Sequence, residues 1–320
     1  MSWIRDRFWS HFVVGWVLVT VVLIRWDGST RLGLHALPMA LIASWAWALH
    51  WGRDIRVQVA EGFRAQHHTW NSLLRSWPPH DPSPLHREFV QRMGSAEQYL
   101  RAMVRAHRLQ RLSIAFTDGW HPGCDGNEAA SVSEGRRAHL WLGSNWFGPE
   151  QTIHLPVILE HELGHVLRRD TQRSTVLQAA GVFLVVLAAA WLPLSTIVPS
   201  VVALRLLYVG WVWHSELACD TRAARACGSE MVILLWRRNT GLLCTLSPLA
   251  RMKYNLRSAF THPPYWLRIW WTRRVNAPAT SAHPLAVLSD AYDLTPPLER
   301  PTNPGWPSAA SKREPQADCG

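Results

Sequence analysis

The chain is poor in lysine: of its 33 Lys and Arg residues, only Lys253 and Lys312 are lysine. A single basic stripe is missing too, because the arginines are scattered and flank apolar runs. No nucleic-acid-binding module is legible, and a nucleic-acid partner is not expected. The net charge of +10 fits instead a membrane protein that keeps its positive residues on the untranslocated, cytoplasmic side. Paired cysteines are also lacking. Cys124, Cys219, Cys227, Cys244 and Cys319 are odd in number, and no two have zinc-ribbon or redox CxxC spacing. That argues against a disulfide scaffold and for a reducing compartment. A signal-peptide cleavage site is absent as well. The N-terminal apolar stretch ends at Ile24 and meets Arg25-Trp26-Asp27 rather than a small-x-small motif, so it reads as a retained anchor. No internal repeat is visible.

What is present begins with four apolar stretches, Phe8 to Ile24, Leu32 to Trp51, Val176 to Leu192 and Ile197 to Trp213. Each approaches the roughly 20 residues a helix needs to cross the hydrocarbon core. The first two, joined by a short link, predict an N-terminal transmembrane hairpin over 1–52. The last two predict a second apolar hairpin over about 174–213, with Arg205 in its middle facing the bundle or a wet cavity. Arg53, Arg56, Arg64, Arg168, Arg169, Arg173, Arg222 and Arg225 all flank the same side of these stretches. The portion between and after them is therefore expected to face the cytoplasm, in a membrane of the bacterial inner-membrane type. Residues 53–110 have helical spacing, broken by the Pro-rich piece Trp77 to Pro84. Residues 111–117 and His139 to Leu142 read as strands, and 118–135 as a Gly-rich loop. From about Asn276 the chain is rich in Pro, Ala, Ser and Thr, the composition of a disordered tail over 276–320.

Between the hairpins lies Pro156-Val-Ile-Leu-Glu-His-Glu-Leu-Gly-His-Val-Leu-Arg-Arg-Asp170, which contains His161-Glu162-Leu163-Gly164-His165. Histidines four apart share a helix face, so both imidazoles can reach one Zn²⁺. The glutamate between them is placed to take a proton from an attacking water. Leu159, Leu163 and Val166 at i, i+4 and i+7 mark a half-buried helix rather than an exposed charged run. A catalytic zinc needs a third protein ligand and one open position. After the second apolar hairpin, Glu216, Asp220, Ala223 and Ala224 fall on one helical face. Glu216 is the candidate third ligand, and Asp220 the candidate partner for a ligating imidazole's second nitrogen. His214 and Cys219 are rival ligands. Ala223 and Ala224 are small enough to let the two helices approach closely.

These motifs resemble the membrane gluzincins of the HtpX and CAAX-prenyl-protease family: an HExxH, two apolar segments, then Glu216 followed four residues later by Asp220. The stretch Leu140 to Asp170 is similar to that family's approach to its active-site helix. Thr261-His262-Pro263-Pro264-Tyr-Trp-Leu-Arg268-Ile269 is similar to its late His-Pro-Pro…Arg-Ile motif. The resemblance implies a mainly α-helical integral membrane protein with a gluzincin-type metallopeptidase domain over 53–275 and a small β element. It implies one Zn²⁺ per chain on His161, His165 and Glu216, with Glu162 as catalytic base and Asp220 behind the ligands. His262 and Arg268 would lie near the site, His262 as a catalytic hydrogen-bond donor. The expected partners are a protein or peptide substrate and the lipid bilayer.

Two departures from the family pattern stand out. Asn127-Glu-Ala-Ala is a poor match to the family's substrate-aligning edge strand. Cys219 stands where the family has Ala, which is similar to the membrane peptidases of antibiotic-sensing transducers. Cleavage of a cytoplasmic repressor is thus the alternative substrate choice, and an inactive membrane scaffold the alternative class.

Overall fold

A computed structural model describes residues 14–21, 32–75, 84–117, 129–148 and 151–278. The links of the N-terminal hairpin, the Pro-rich break and the tail after 278 lie outside the described residues. The described chain is mainly helical with one small sheet. Its elements are α1 (residues 14–21), α2 (Leu32–Arg75), α3 (Pro84–Ala106), β1 (Arg111–Thr117), β2 (Ala129–Glu134), β3 (Arg137–Gly143), α4 (Leu155–Arg168), α5 (Asp170–Trp191), α6 (Leu194–Cys227), α7 (Ser229–Cys244), α8 (Pro248–Ala259) and α9 (Tyr265–Val275).

The sheet has the order β1-β3-β2, with β1 parallel and β2 antiparallel to β3. β2 occupies residues that the Gly-rich composition of 118–135 predicts as loop, and this expectation is corrected. Ala129-Ala-Ser-Val-Ser-Glu134 has little β-propensity of its own; pairing with the buried, apolar β3 holds it. β2 is an edge strand. The Ser133 N–H takes the Thr171 hydroxyl at 3.2 Å. By the strand's period of two, the main-chain groups of Ala129 and Ser131 face the same open edge.

Three buried clusters occur among the described residues, a small one of Ile55, Val59 and Val132 and two larger ones. Leu140 and Leu142 of β3, Leu155 and Leu159 of α4, Tyr99 and Leu100 of α3, Ala223 and Ala224 of α6 and Leu235 of α7 form one contiguous cluster. α4 is therefore buried along most of its length, not on one face only as its periodicity predicts, because the sheet, α6 and α7 enclose it. A second cluster joins Val17 and Val21 of α1, Ala40 and Ala43 of α2 and Val186 and Ala189 of α5. Small residues there let backbones approach closely, and the Ser44 hydroxyl donates across to the Ala179 carbonyl at 2.9 Å.

Two of the described helices are long and apolar enough to cross a membrane, Asp170–Trp191 and Ser195–Cys227. α2 is one continuous helix of 44 residues, about 66 Å long, so the second apolar stretch runs on into the following polar residues without a break. α6 behaves the same way. Its apolar half continues straight into the segment bearing Glu216 and Asp220, with no boundary between them. Among the described cysteines, Cys219 and Cys227 are buried free thiols and Cys244 is disulfide-bonded. A disulfide at Cys244 departs from the expectation of a reducing compartment.

Candidate metal centre

α4 starts with Pro156 in its first turn, where a missing N–H costs nothing. It ends at Arg169, which adopts the left-handed conformation at φ 56°. That single residue turns the chain into α5, so Asp170 folds back beside the last turn of α4. α6 runs against α4, and the contact is close. A Cβ added at Gly164 would sit 3.0 Å from Cys219 Sγ and 3.3 Å from its Cα. Gly164 and Cys219 come this close, and Ala223 and Ala224, expected to let the helices approach, are buried in the cluster that includes Leu155 and Leu159 of α4.

The approach brings His161, His165 and Glu216 together. His161 Nε2 and His165 Nε2 are 3.2 Å apart. Glu216 Oε2 lies 3.4 Å from the first nitrogen and Oε1 3.3 Å from the second. Ligand atoms of a tetrahedral zinc at about 2.0–2.1 Å are separated by about 3.3–3.4 Å; the two histidines face different oxygens of Glu216 at such distances, and with one ligand atom taken from each residue the three lie within 4.8 Å of one another. Asp220 Oδ1 is 3.0 Å from His161 Nδ1, and Asp170 Oδ2 is 3.0 Å from His165 Nδ1. If each Nδ1 donates to its carboxylate, both Nε2 atoms present lone pairs to one another. Two facing lone pairs repel unless a cation lies between them. Burial opposes charging of His161, yet the Asp220 and Glu216 carboxylates raise it to about 9. His165 is likewise raised, against burial, by Asp170, Cys219 and Glu216. The site demands positive charge, and the residues present fit a divalent metal ion.

Arg268 supplies part of that charge. It is buried and donates from Nε and Nη2 to the two Asp220 oxygens, each at 2.7 Å. Its Nη2 also lies 3.3 Å from Glu216 Oε2. The guanidinium is 3.5 Å above the Trp236 ring, which stacks in turn on Tyr265. This bidentate geometry fixes Asp220, and Asp220 fixes His161. His262 stands further out, half-exposed, with Nε2 3.9 Å from Glu216 Oε1. Glu162 is buried beside the histidines, and its main-chain carbonyl accepts from the Ser131 hydroxyl of β2 at 3.2 Å.

No family model, curated protein or solved structure matches this chain. The candidate site therefore rests on its own geometry. Of the rival ligands, His214 is exposed and outside the cluster. Cys219 forms a second potential metal-holding group with His165 and Asp170, on the far side of the His165 ring from Glu216.

Asp170 is the residue that sequence reasoning passes over. Its Oδ2 accepts from Arg168 Nε at 3.3 Å and from the Ser215 hydroxyl as well as facing His165. Its one mark in the sequence, an acid five residues past the second histidine, does not by itself point to the site. Trp236 and Tyr265 carry no comparable sequence signal.

A cavity of about 1100 Å³ opens from the site, lined by His161, Glu162, His165 and Glu216 at one end and by α5 and α6 side chains at the other. Ala129, Ala130 and Ser131 of the edge strand also line it. Arg205 points along this cavity wall, its guanidinium 5.4 Å from the Tyr208 ring and 5.6 Å from that of Phe260.

Proposed function

We propose that the chain is a zinc-dependent endopeptidase embedded in a membrane, of the HtpX and CAAX-prenyl-protease type, that hydrolyses peptide bonds of membrane or membrane-proximal proteins. The observation that carries this reading is the three-donor triangle of His161, His165 and Glu216, with Glu162 beside it and an open strand edge alongside. Zinc bound there supplies a Lewis acid for the scissile carbonyl and lowers the pKa of the attacking water. Glu162 accepts that water's proton as its oxygen bonds to the carbonyl carbon. It then returns the proton to the leaving amine as the C–N bond breaks. Asp220 and Asp170 hold the two imidazoles in the tautomer that leaves Nε2 free. His262, at the cavity and not buried, donates a hydrogen bond to the developing oxyanion.

A substrate main chain added along Ala129 to Ser131 would present its peptide bonds to the site in extended form. The cavity's reach into α5 and α6 favours a substrate segment arriving from the membrane side. The distribution of arginine supports a cytoplasmic face for the catalytic portion. Protease protection of the C-terminus in oriented membrane vesicles tests the orientation.

Metal content and cleavage of a mixed peptide library by detergent-purified protein test the whole reading. Wild type and Glu162→Gln are expected to hold about one zinc per chain, while His161→Ala and Glu216→Ala hold none. Only the wild type should cleave. Cleavage by Glu162→Gln at the wild-type rate would end the proposed mechanism. Absence of zinc from the wild type, even after zinc is added back, would favour the inactive scaffold.

A further inference from the structure

α8 stands apart from the rest of the fold. It is 12 residues long and none of them is buried. Its apolar side chains are nonetheless ordered: Leu249, Met252, Leu256 and then Phe260 recur at i, i+3, i+7 and i+11, a single stripe. The stripe is open, with exposures of 71%, 55%, 60% and 49% in that order. The opposite face bears Tyr254 and Ser258, which line the cavity leading to His161 and Glu162. Lys253 and Arg257, both exposed, border the apolar stripe on one side. α8 carries three basic residues, Arg251, Lys253 and Arg257, and no acidic one.

The helix is also tied to a candidate membrane span. Trp213 Nε1 donates to the Ala259 carbonyl at 2.9 Å, and the Arg205 guanidinium lies 5.6 Å from the Phe260 ring. Both partners belong to the apolar part of α6. The end of α8 therefore sits alongside a surface where Val202, Leu206 and Leu207 are themselves exposed.

We propose that α8 is an in-plane membrane helix that binds anionic lipid. Its stripe of Leu249, Met252 and Leu256 is sunk among acyl chains, Phe260 lies where the stripe ends against the cavity, and Lys253 and Arg257 meet headgroup phosphates. The same helix, through Tyr254 and Ser258, is then the outer wall of the cavity, separating lipid from the metal-ligating residues. This goes beyond the hydrolytic reading and needs no metal, but it rests on α5 and α6 crossing the bilayer. A polypeptide partner fits less well: Lys253 and Arg257 beside an apolar stripe, on a helix with no acidic residue, match a negatively charged membrane surface, and the end of the helix is joined through Trp213 to the candidate span α6.

The test is site-specific photocrosslinking of the full chain in nanodiscs of phosphatidylcholine, alone or mixed with phosphatidylglycerol. Benzoylphenylalanine replaces Leu256, Ser258 on the cavity face, or Val202 on α6. Mass spectrometry reads the adducts. Lipid adducts are expected at 256 and 202 and few at 258. In the mixed nanodiscs, phosphatidylglycerol adducts at 256 should exceed those expected from its share of the lipid. Replacing Lys253 and Arg257 by Gln should remove that excess, by about fivefold per charge. Lipid adducts at 202 with none at 256, or protein adducts at 256, would overturn the in-plane helix and leave the spanning helices standing. Absence of lipid from 202 and 256 alike would overturn both. Equal yields from the two lipids would overturn the headgroup contact.

Discussion

The two halves of α6 live in opposite surroundings. From Val198 to Leu207 it exposes one large apolar side chain after another. From Ser215 to Ala224 it is largely enclosed, with Glu216 and Asp220 among its buried residues. In water the first half would be an aggregation surface and the second a costly burial of charge. Each is stable where it is for a separate reason. The exposed apolar half belongs to a helix long and apolar enough to cross a membrane, where lipid would accept it. The enclosed half is tolerable because each carboxylate meets a partner, Asp220 with Arg268 and His161, Glu216 with both imidazoles. One continuous helix thus couples a candidate membrane span to a metal-ligating cluster.

This contrast can be broken most sharply from the buried side. Arg268→Met leaves Asp220 uncompensated beneath Trp236, and removal of one partner of such a pair costs on the order of 3–5 kcal/mol. A fall in Tm should be measurable by differential scanning fluorimetry, and a variant as stable as wild type would show that the pair is not what holds α9 to α6. Asp170→Asn is expected to weaken zinc binding by roughly 10–100-fold by loosening His165, with little change in fold. Competition with a chromogenic chelator reads this directly, and unchanged affinity would remove Asp170 from the site.

Gly164→Ala forces a methyl against Cys219, including its main-chain Cα, at a cost of about 1–3 kcal/mol. Cys219→Ala in the same chain removes only the sulfur contact and should recover part of that loss.

Acidification gives a smaller and broader effect. Burial pushes His139 down to about 4, and burial together with Arg238 does the same to His154. Below the ordinary histidine value of about 6.5 the unfolded chain takes up protons that these folded histidines refuse until about pH 4. Their contribution to stability is therefore complete above pH 6.5 and declines between 6.5 and 4. A Tm profile that falls over this window, and falls less steeply in His139→Phe, is the expected result. At the lipid-facing end, Leu206→Ala should change stability by no more than about 0.5 kcal/mol, since the side chain loses no protein packing.

The candidate site was legible where chemistry depends on local spacing. His161 and His165 lie four apart on one helix, and no tertiary information is needed to see that they share a face. Glu216 and Asp220 repeat the device on α6. Asp170 was not legible as a partner of His165, because its position depends on the left-handed turn at Arg169 and on Ser215 approaching from another helix. β2 was hidden for a related reason: a run of Ala and Ser becomes a strand only when β3 offers it a ladder. The burial of α4 on nearly every side was equally invisible, since periodicity reports one apolar face and not what covers the others.

By itself the sequence determined the mainly helical character, the apolar stretches from which α5 and α6 are built, and a helix carrying two histidines and a glutamate at ligand spacing. Those properties follow from hydrophobic runs and from the 3.6-residue period, which act within a few turns of chain. Only the tertiary structure decided that Gly164 and Cys219 bring the two helices into contact, that Arg268 lies under Asp220 and that β2 borders the cavity. Ser131 and Glu162 are 31 positions apart in the chain, and Arg268 and Asp220 48. Such meetings arise from packing and charge compensation across the fold, and no local pattern encodes them.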